Sequence, residues 1–139
     1  MMKELYLDAV IENLDRVLDF VNTELEAHDC DMKVQTQISI AIEEIFVNIA
    51  HYAYKPEVGG VSIRVAVADE IVIEFEDKGI PYNPLEKIDP DINRTAEERE
   101  IGGLGIFMVK KFMDSIEYRN IDKKNILTIR KGIAPAQGD

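Results

Sequence analysis

The chain has 139 residues and a mass of 15.8 kDa, with 46% hydrophobic and 31% charged side chains, an ordinary globular mixture that one hydrophobic core can serve. Sixteen Lys and Arg against 27 Asp and Glu leave a net charge of −11, a field that repels phosphodiester backbones and anionic headgroups, so neither direct nucleic-acid binding nor membrane binding is expected. The charge is uneven: residues 1 to 58 hold 4 basic and 12 acidic side chains and residues 110 to 139 hold 7 basic and 4 acidic, so an anionic ligand favours the C-terminal half.

The opening stretch MMKELYLDAV alternates, with Leu5, Leu7 and Ala9 on one face, and predicts a strand. It is too short and too acidic for a signal peptide. No run approaches the roughly 20 apolar residues of a membrane span. Leu14, Val17, Leu18, Val21 and Leu25 then recur at three- and four-residue spacing, which predicts an amphipathic helix over 13–27 with Asn13 as its N-cap. The polar break HDCDM follows. Its Cys30 is the single cysteine; it excludes an intramolecular disulfide, reads as a surface loop thiol and suits a reducing cytoplasm. A second helix is predicted from about Lys33 to Tyr54, ending where Pro56 disfavours continuation.

VSIRVAVA and IVIEFED are β-branched and alternating and predict a hairpin. Residues 84–102, with Pro84, Pro90 and many charges, read as a lid. Glycines at 102, 103 and 105 open the helical run IFMVKKFMD. IEYRN and ILTIRK form a second hairpin around Asp122, Lys123 and Lys124, and 133–139 reads as a disordered tail. The whole is expected to be one domain, a two-layer α/β sandwich: a mixed, mostly antiparallel sheet with three helices on one face.

Three segments could carry chemistry. In AIEEIFVNIAHYAY, Glu44 and Asn48 are one helical turn apart among Ile45, Phe46 and Ile49. That pair suits a general base and a hard oxygen ligand for Mg²⁺, and equally the solvent side of an amphipathic helix. Glu43 lies on another face. In FEDKGIPYNP, Asp77 and Gly79 form a turn that can present a carboxylate to an exocyclic amine, or a plain exit from a strand. In IGGLGIFMVKK, glycines before a helix free its first N–H groups for a phosphate, or act as a hinge. The spacing fits neither the P-loop nor the dinucleotide pattern.

Taken in order, these segments resemble the N, G1 and G2 boxes of the GHKL ATPase superfamily. The wording of DKGIPYNP and IGGLGIFMVKKFMD is similar to its anti-sigma factor serine/threonine kinase branch. The resemblance implies a Bergerat-type fold that binds ATP and Mg²⁺. It makes Glu44 the general base, Asn48 the Mg²⁺ ligand, Asp77 the acceptor of the adenine amino group and Gly79 the close-approach glycine beneath the base. It also makes Gly103 and Gly105 phosphate binders, Thr128 an aid to adenine recognition, and Arg99 (or Arg94) a lid cation. Tyr52 departs from the branch, which shows His there; His51, one position away, reads as a satisfied helix histidine.

The implied reaction is phosphorylation of a small STAS-domain anti-anti-sigma protein, with partner switching to a sigma factor and a homodimeric assembly. The alternative is a non-catalytic module that binds its partner under nucleotide control. HRD and DFG signatures are absent, which excludes an ordinary eukaryotic-type kinase.

Overall fold

The alternation of the first residues becomes strand β1, Lys3–Asp8, in a computed structural model that describes residues 2–54, 57–86 and 103–133. A 3-10 turn, Ile11–Asn13, leads into α1, Leu14–Ala27, whose Val17, Val21 and Leu25 are buried. Asn13 is not the cap expected of it. Its backbone, at φ −93° and ψ 0°, lacks the extended conformation of a cap, and its side-chain amide donates to the Asp8 carbonyl at 2.9 Å.

The end of α1 corrects the reading of Cys30. Asp29 takes a left-handed φ of 59°. The Asp29 and Cys30 N–H groups then donate back to the carbonyls of Glu26 and Leu25, both at 3.1 Å, the hydrogen-bond pattern of a Schellman motif. That turn directs Cys30 into the core, where it is 6% exposed. Burial, helped by Asp31 and Asp29, raises the thiol pKa, so it is a packing residue with little thiolate.

Helix α2, Met32–Tyr52, starts at Asp31, whose carboxylate accepts from the Val34 N–H at 2.9 Å. Ile38, Ala41, Ile42, Ile45 and Phe46 form its buried face. The helix stops two residues short of Tyr54; Pro56 lies outside the described residues. The Tyr54 hydroxyl donates to the Gly60 carbonyl and accepts from the Lys78 N–H, both at 2.7 Å. It thereby ties the end of α2 to two turns of the sheet.

The two predicted hairpins form as β2, Gly60–Val67, with β3, Glu70–Asp77, and β4, Ser115–Ile121, with β5, Lys124–Gly132. Helix α3, Gly103–Phe112, lies between them in sequence. The sheet order is β1-β2-β3-β5-β4. All four pairings are antiparallel, so the sheet is antiparallel throughout instead of mixed. Alternation points Ile71, Ile73, Phe75 and Asp77 of β3 into the buried layer. On the other face Arg64 meets Glu74 at 3.0 Å and Glu76 at 2.7 Å. Of the expected lid, Pro84–Glu86 is a 3-10 turn, and 87–102 lies outside the described residues, as does 134–139 of the expected tail. Ile133 packs partly buried against the core. Among the described residues, no helix is long and apolar enough to cross a membrane.

The β4–β5 turn holds Asp122 and Lys123 at φ 54° and 64°, a two-residue hairpin connection that favours Asn-Gly or Asp-Gly. Lysine in that conformation is strained. Lys123→Gly is expected to raise stability by about 0.5–1 kcal/mol in urea unfolding; a loss of stability would contradict this reading of the turn.

Candidate functional site

The second half of α2, the end of β3, the start of α3 and the β4–β5 hairpin surround a cleft of about 450 Å³, its open mouth included. Its walls are mostly apolar, with Ile45, Ile49, Phe75, Ile80, Ile106 and Leu127 among them, and Asn48, Asp77 and Asn125 are the polar residues at its base. A greasy cleft with a few convergent polar groups is the usual form of a small-ligand site. Tyr52 and Tyr82 stand at its wall with ring centroids 5.8 Å apart.

Asp77, 6% exposed, closes β3. Its Oδ1 accepts from the Gly79 N–H at 2.8 Å and from the Asn125 side-chain amide at 2.9 Å. Among the described residues no donor reaches Oδ2. Burial raises the Asp77 pKa, with Glu76 adding to it, while the bonds from Asn125 and Gly79 pull the other way. Asn48 is 5% exposed, and neither its carbonyl oxygen nor its amide nitrogen has a hydrogen-bond partner among the described residues. A buried, unpaired amide is costly unless a ligand completes it. Its carbonyl oxygen has the chemistry of a Mg²⁺ ligand.

Thus the structure brings Asn48 and Asp77 into one cleft, as the sequence pattern predicts. Glu44, a turn earlier on α2, is half-buried and is not among the cleft-lining residues. Burial, and then the charge of Glu43, raises its pKa; Glu43 itself is exposed. Gly79 does make a close approach, but to protein: a Cβ there would stand 2.1 Å from the Ala53 carbonyl oxygen, and the Ile80 N–H donates to that oxygen at 2.8 Å. Gly103 and Gly105 lie inside the first turn of α3, where N–H groups have no intrahelical acceptor. Arg94 and Arg99 lie outside the described residues. His51, half-buried in the last turn of α2, has its ring 6.1 Å from that of Tyr52.

Thr128 is the residue that the structure removes from the site. It is 2% exposed and pairs with Glu74 and Glu117, which places its side chain on the sheet face opposite Asp77. Asn125 is the residue that sequence reading missed. It lies directly across from Asp77 in the ladder. Its amide nitrogen also donates to the Ile80 carbonyl at 2.9 Å, and its oxygen accepts from the Tyr118 hydroxyl and, at 3.0 Å, from the Asn120 amide. Counting back two places from Leu127 would find it, but only once the inward parity of β5 is known.

A family model described as "Histidine kinase-like ATPase domain" matches residues 7–131. Among curated relatives, the serine-protein kinase RsbW of Bacillus mycoides (strain KBAB4) is 32% identical over 95 residues, covering 65% of this chain and 59% of that one. The serine/threonine-protein kinase BtrW of Bordetella bronchiseptica (strain ATCC BAA-588 / NCTC 13252 / RB50) is 24% identical over 106 residues, 74% of each chain. The chain thus spans about three fifths of the RsbW sequence that it matches. Among solved structures, that of the RsbU and RsbW domains of Rv1364c from Mycobacterium tuberculosis superposes with a TM-score of 0.66 at 17% identity, covering 96% of this chain and 33% of that one. The Acinetobacter baumannii histidine kinase AdeS superposes at 0.53 with 15% identity, covering 94% and 68%. The likeness to these two structures concerns the fold.

A raised Asp77 pKa fixes the sign of its effect on stability. Between the ordinary aspartate value and the raised one the folded chain binds more proton than the unfolded chain, so stability falls as pH rises through that window. Asp77→Asn removes this cost and keeps an oxygen for Gly79 and Asn125. Urea unfolding should find the variant at least as stable as wild type at pH 7 and little different at pH 3; a large loss at pH 7 would show that the ionised carboxylate stabilises the fold.

Proposed function

Because this chain belongs to the histidine kinase-like ATPase domain family, we propose that its cleft binds Mg·ATP and that it transfers the γ-phosphoryl group to a serine or threonine of a small anti-anti-sigma protein of the STAS type. The observation that carries the nucleotide reading is the pairing, in one apolar cleft, of a buried carboxylate and a buried amide; among the described residues one oxygen of the first accepts no bond and the second has no partner. The Asp77 Oδ2 accepts the adenine amino group, and the apolar walls hold the base. The Asn48 carbonyl oxygen serves as a metal ligand, and the first N–H groups of α3 around Gly103 and Gly105 meet the phosphates. Arg99 is the proposed lid cation. Bound Mg²⁺ supplies neutralisation of phosphate charge.

Glu44 takes the proton of the partner hydroxyl while the hydroxyl oxygen bonds to the γ-phosphorus and the bond to the β–γ bridging oxygen breaks, releasing ADP. Its raised pKa brings it closer to a working base at neutral pH. The names of the RsbW and BtrW relatives support the kinase reading. Partner exchange with a sigma factor, and a homodimer as the working unit, complete the proposal. A second reading rests on Glu44 standing outside the cleft lining: a module that binds its partner under nucleotide control without transfer.

Phosphotransfer from labelled ATP to a co-encoded STAS protein separates the two. Glu44→Gln should lower the transfer rate by about 10²–10⁴-fold and leave ATP affinity within a few-fold. The wild-type rate should rise with pH through a midpoint above the ordinary glutamate value, because only the ionised Glu44 accepts the proton. Tight ATP binding with no transfer by wild type would favour the switching module, and undiminished transfer by the variant would remove Glu44 from the chemistry.

A further inference from the structure

The hydrogen bonds around Asn125 form two layers with a fixed direction. In the outer layer two donors from β4, the Tyr118 hydroxyl and the Asn120 amide, both fall on the Asn125 carbonyl oxygen. The Ile80 carbonyl, which can only accept, fixes which way the amide faces, since a flipped amide would set acceptor against acceptor there. In the inner layer the Asn125 nitrogen spends its two hydrogens on the Asp77 Oδ1 and the Ile80 carbonyl, each at 2.9 Å. With the Gly79 N–H also on Oδ1, the carboxylate cannot rotate without breaking both bonds. When ionised it offers the cleft one oxygen, Oδ2, which accepts.

From this geometry we propose that Asn125, held by Tyr118 and Asn120, is the positioning residue for base selection: it locks Asp77 so that the cleft accepts a purine carrying an exocyclic amino group at the position facing Oδ2 and rejects one carrying a carbonyl oxygen there. The inference rests on the nucleotide reading given above. An amino group donates to the locked oxygen, whereas a carbonyl meets it lone pair to lone pair, a buried mismatch that discriminates strongly. The titratable groups around the carboxylate include Glu76 and Lys78 beside it in the chain, Tyr52 and Tyr54 at the end of α2, Tyr82 in the cleft wall and Tyr118 on β4. No cation is among the groups that shift Asp77, so the donors of Asn125 and Gly79 keep the charged form oriented.

Asn125→Asp tests this, because it keeps the size of the side chain and replaces the donor nitrogen by oxygen. Mg·ATP and Mg·GTP affinities are measured by calorimetry from pH 5.5 to 8, with each variant referred to wild type at the same pH and checked for folding by circular dichroism. At pH 8 the variant is expected to bind Mg·ATP about 10- to 100-fold more weakly. Toward pH 5.5 the deficit should shrink, because a protonated Asp at 125 can donate to Asp77 as the amide did. Tyr118→Phe, which loses only the hydroxyl, should fold normally and show a several-fold smaller preference for ATP over GTP. Should Asn125→Asp fail to fold, the Tyr118→Phe ratio decides alone. Wild type that binds Mg·ATP while both variants keep its affinity and preference at every pH overturns the positioning role and leaves the nucleotide reading standing. Wild type that binds neither nucleotide overturns both.

Discussion

The bond from the Asn125 amide to the Asp77 carboxylate, 2.9 Å long and buried, is the contact on which the organisation of this cleft depends. A carboxylate that is 6% exposed carries a large desolvation cost. It stays where it is because its partners are delivered by three separate parts of the chain. The β3–β5 ladder sets Asn125 directly opposite. The turn after β3 brings the Gly79 N–H back onto the same oxygen. The β4–β5 hairpin supplies the donors that hold the amide in one orientation. The Gly79 and hairpin contacts are local, but the bond that joins them links residues 48 positions apart, so the geometry of the site is completed only by the assembled sheet.

The helical layer answers the same demand from above. Helix α2 is anchored at its start by the Asp31 cap and at its end by Tyr54, which ties it to Gly60 and Lys78. Between these anchors its buried face changes from aliphatic to polar at Asn48, the position that faces the cleft. Gly79 is required because the turn passes so close to the Ala53 carbonyl that no side chain fits. Fold and site therefore share their constraints. The glycine that resembled a base-approach residue serves helix–turn packing, and that packing in turn fixes the position of the carboxylate beside it.

Much of this was legible in the sequence because local periodicity is strong: the apolar stripe of α1, the long buried face of α2 and the alternation of β2 and β3 fix those elements within a residue or two. Asn48 and Asp77 were legible because their short motifs put polar groups on otherwise apolar faces. Thr128 and Asn125 were not. Ile126, Leu127, Thr128 and Ile129 place bulky residues on both parities of β5, so alternation does not say which face turns inward. That choice is made by pairing with β3, some fifty positions away in the chain. Asn13 and Cys30 misled for a related reason. A 3-10 turn displaced the cap, and a left-handed Asp29 turned a polar-looking loop inward, neither of which residue type alone announces.

On the proposed function, the Asp77 Oδ2, which accepts from no donor among the described residues, is the acceptor that holds a nucleotide. Calorimetric titration of Mg·ATP into the wild type and into Asp77→Asn tests it most directly, since the asparagine keeps the bonds from Gly79 and Asn125 and turns only the free acceptor into a donor. Wild type is expected to bind, and the folded variant to lose roughly 10- to 150-fold in affinity, the equivalent of about 1.5–3 kcal/mol for one charge-assisted bond. Equal affinities in the two proteins, or no binding by folded wild type, would contradict it.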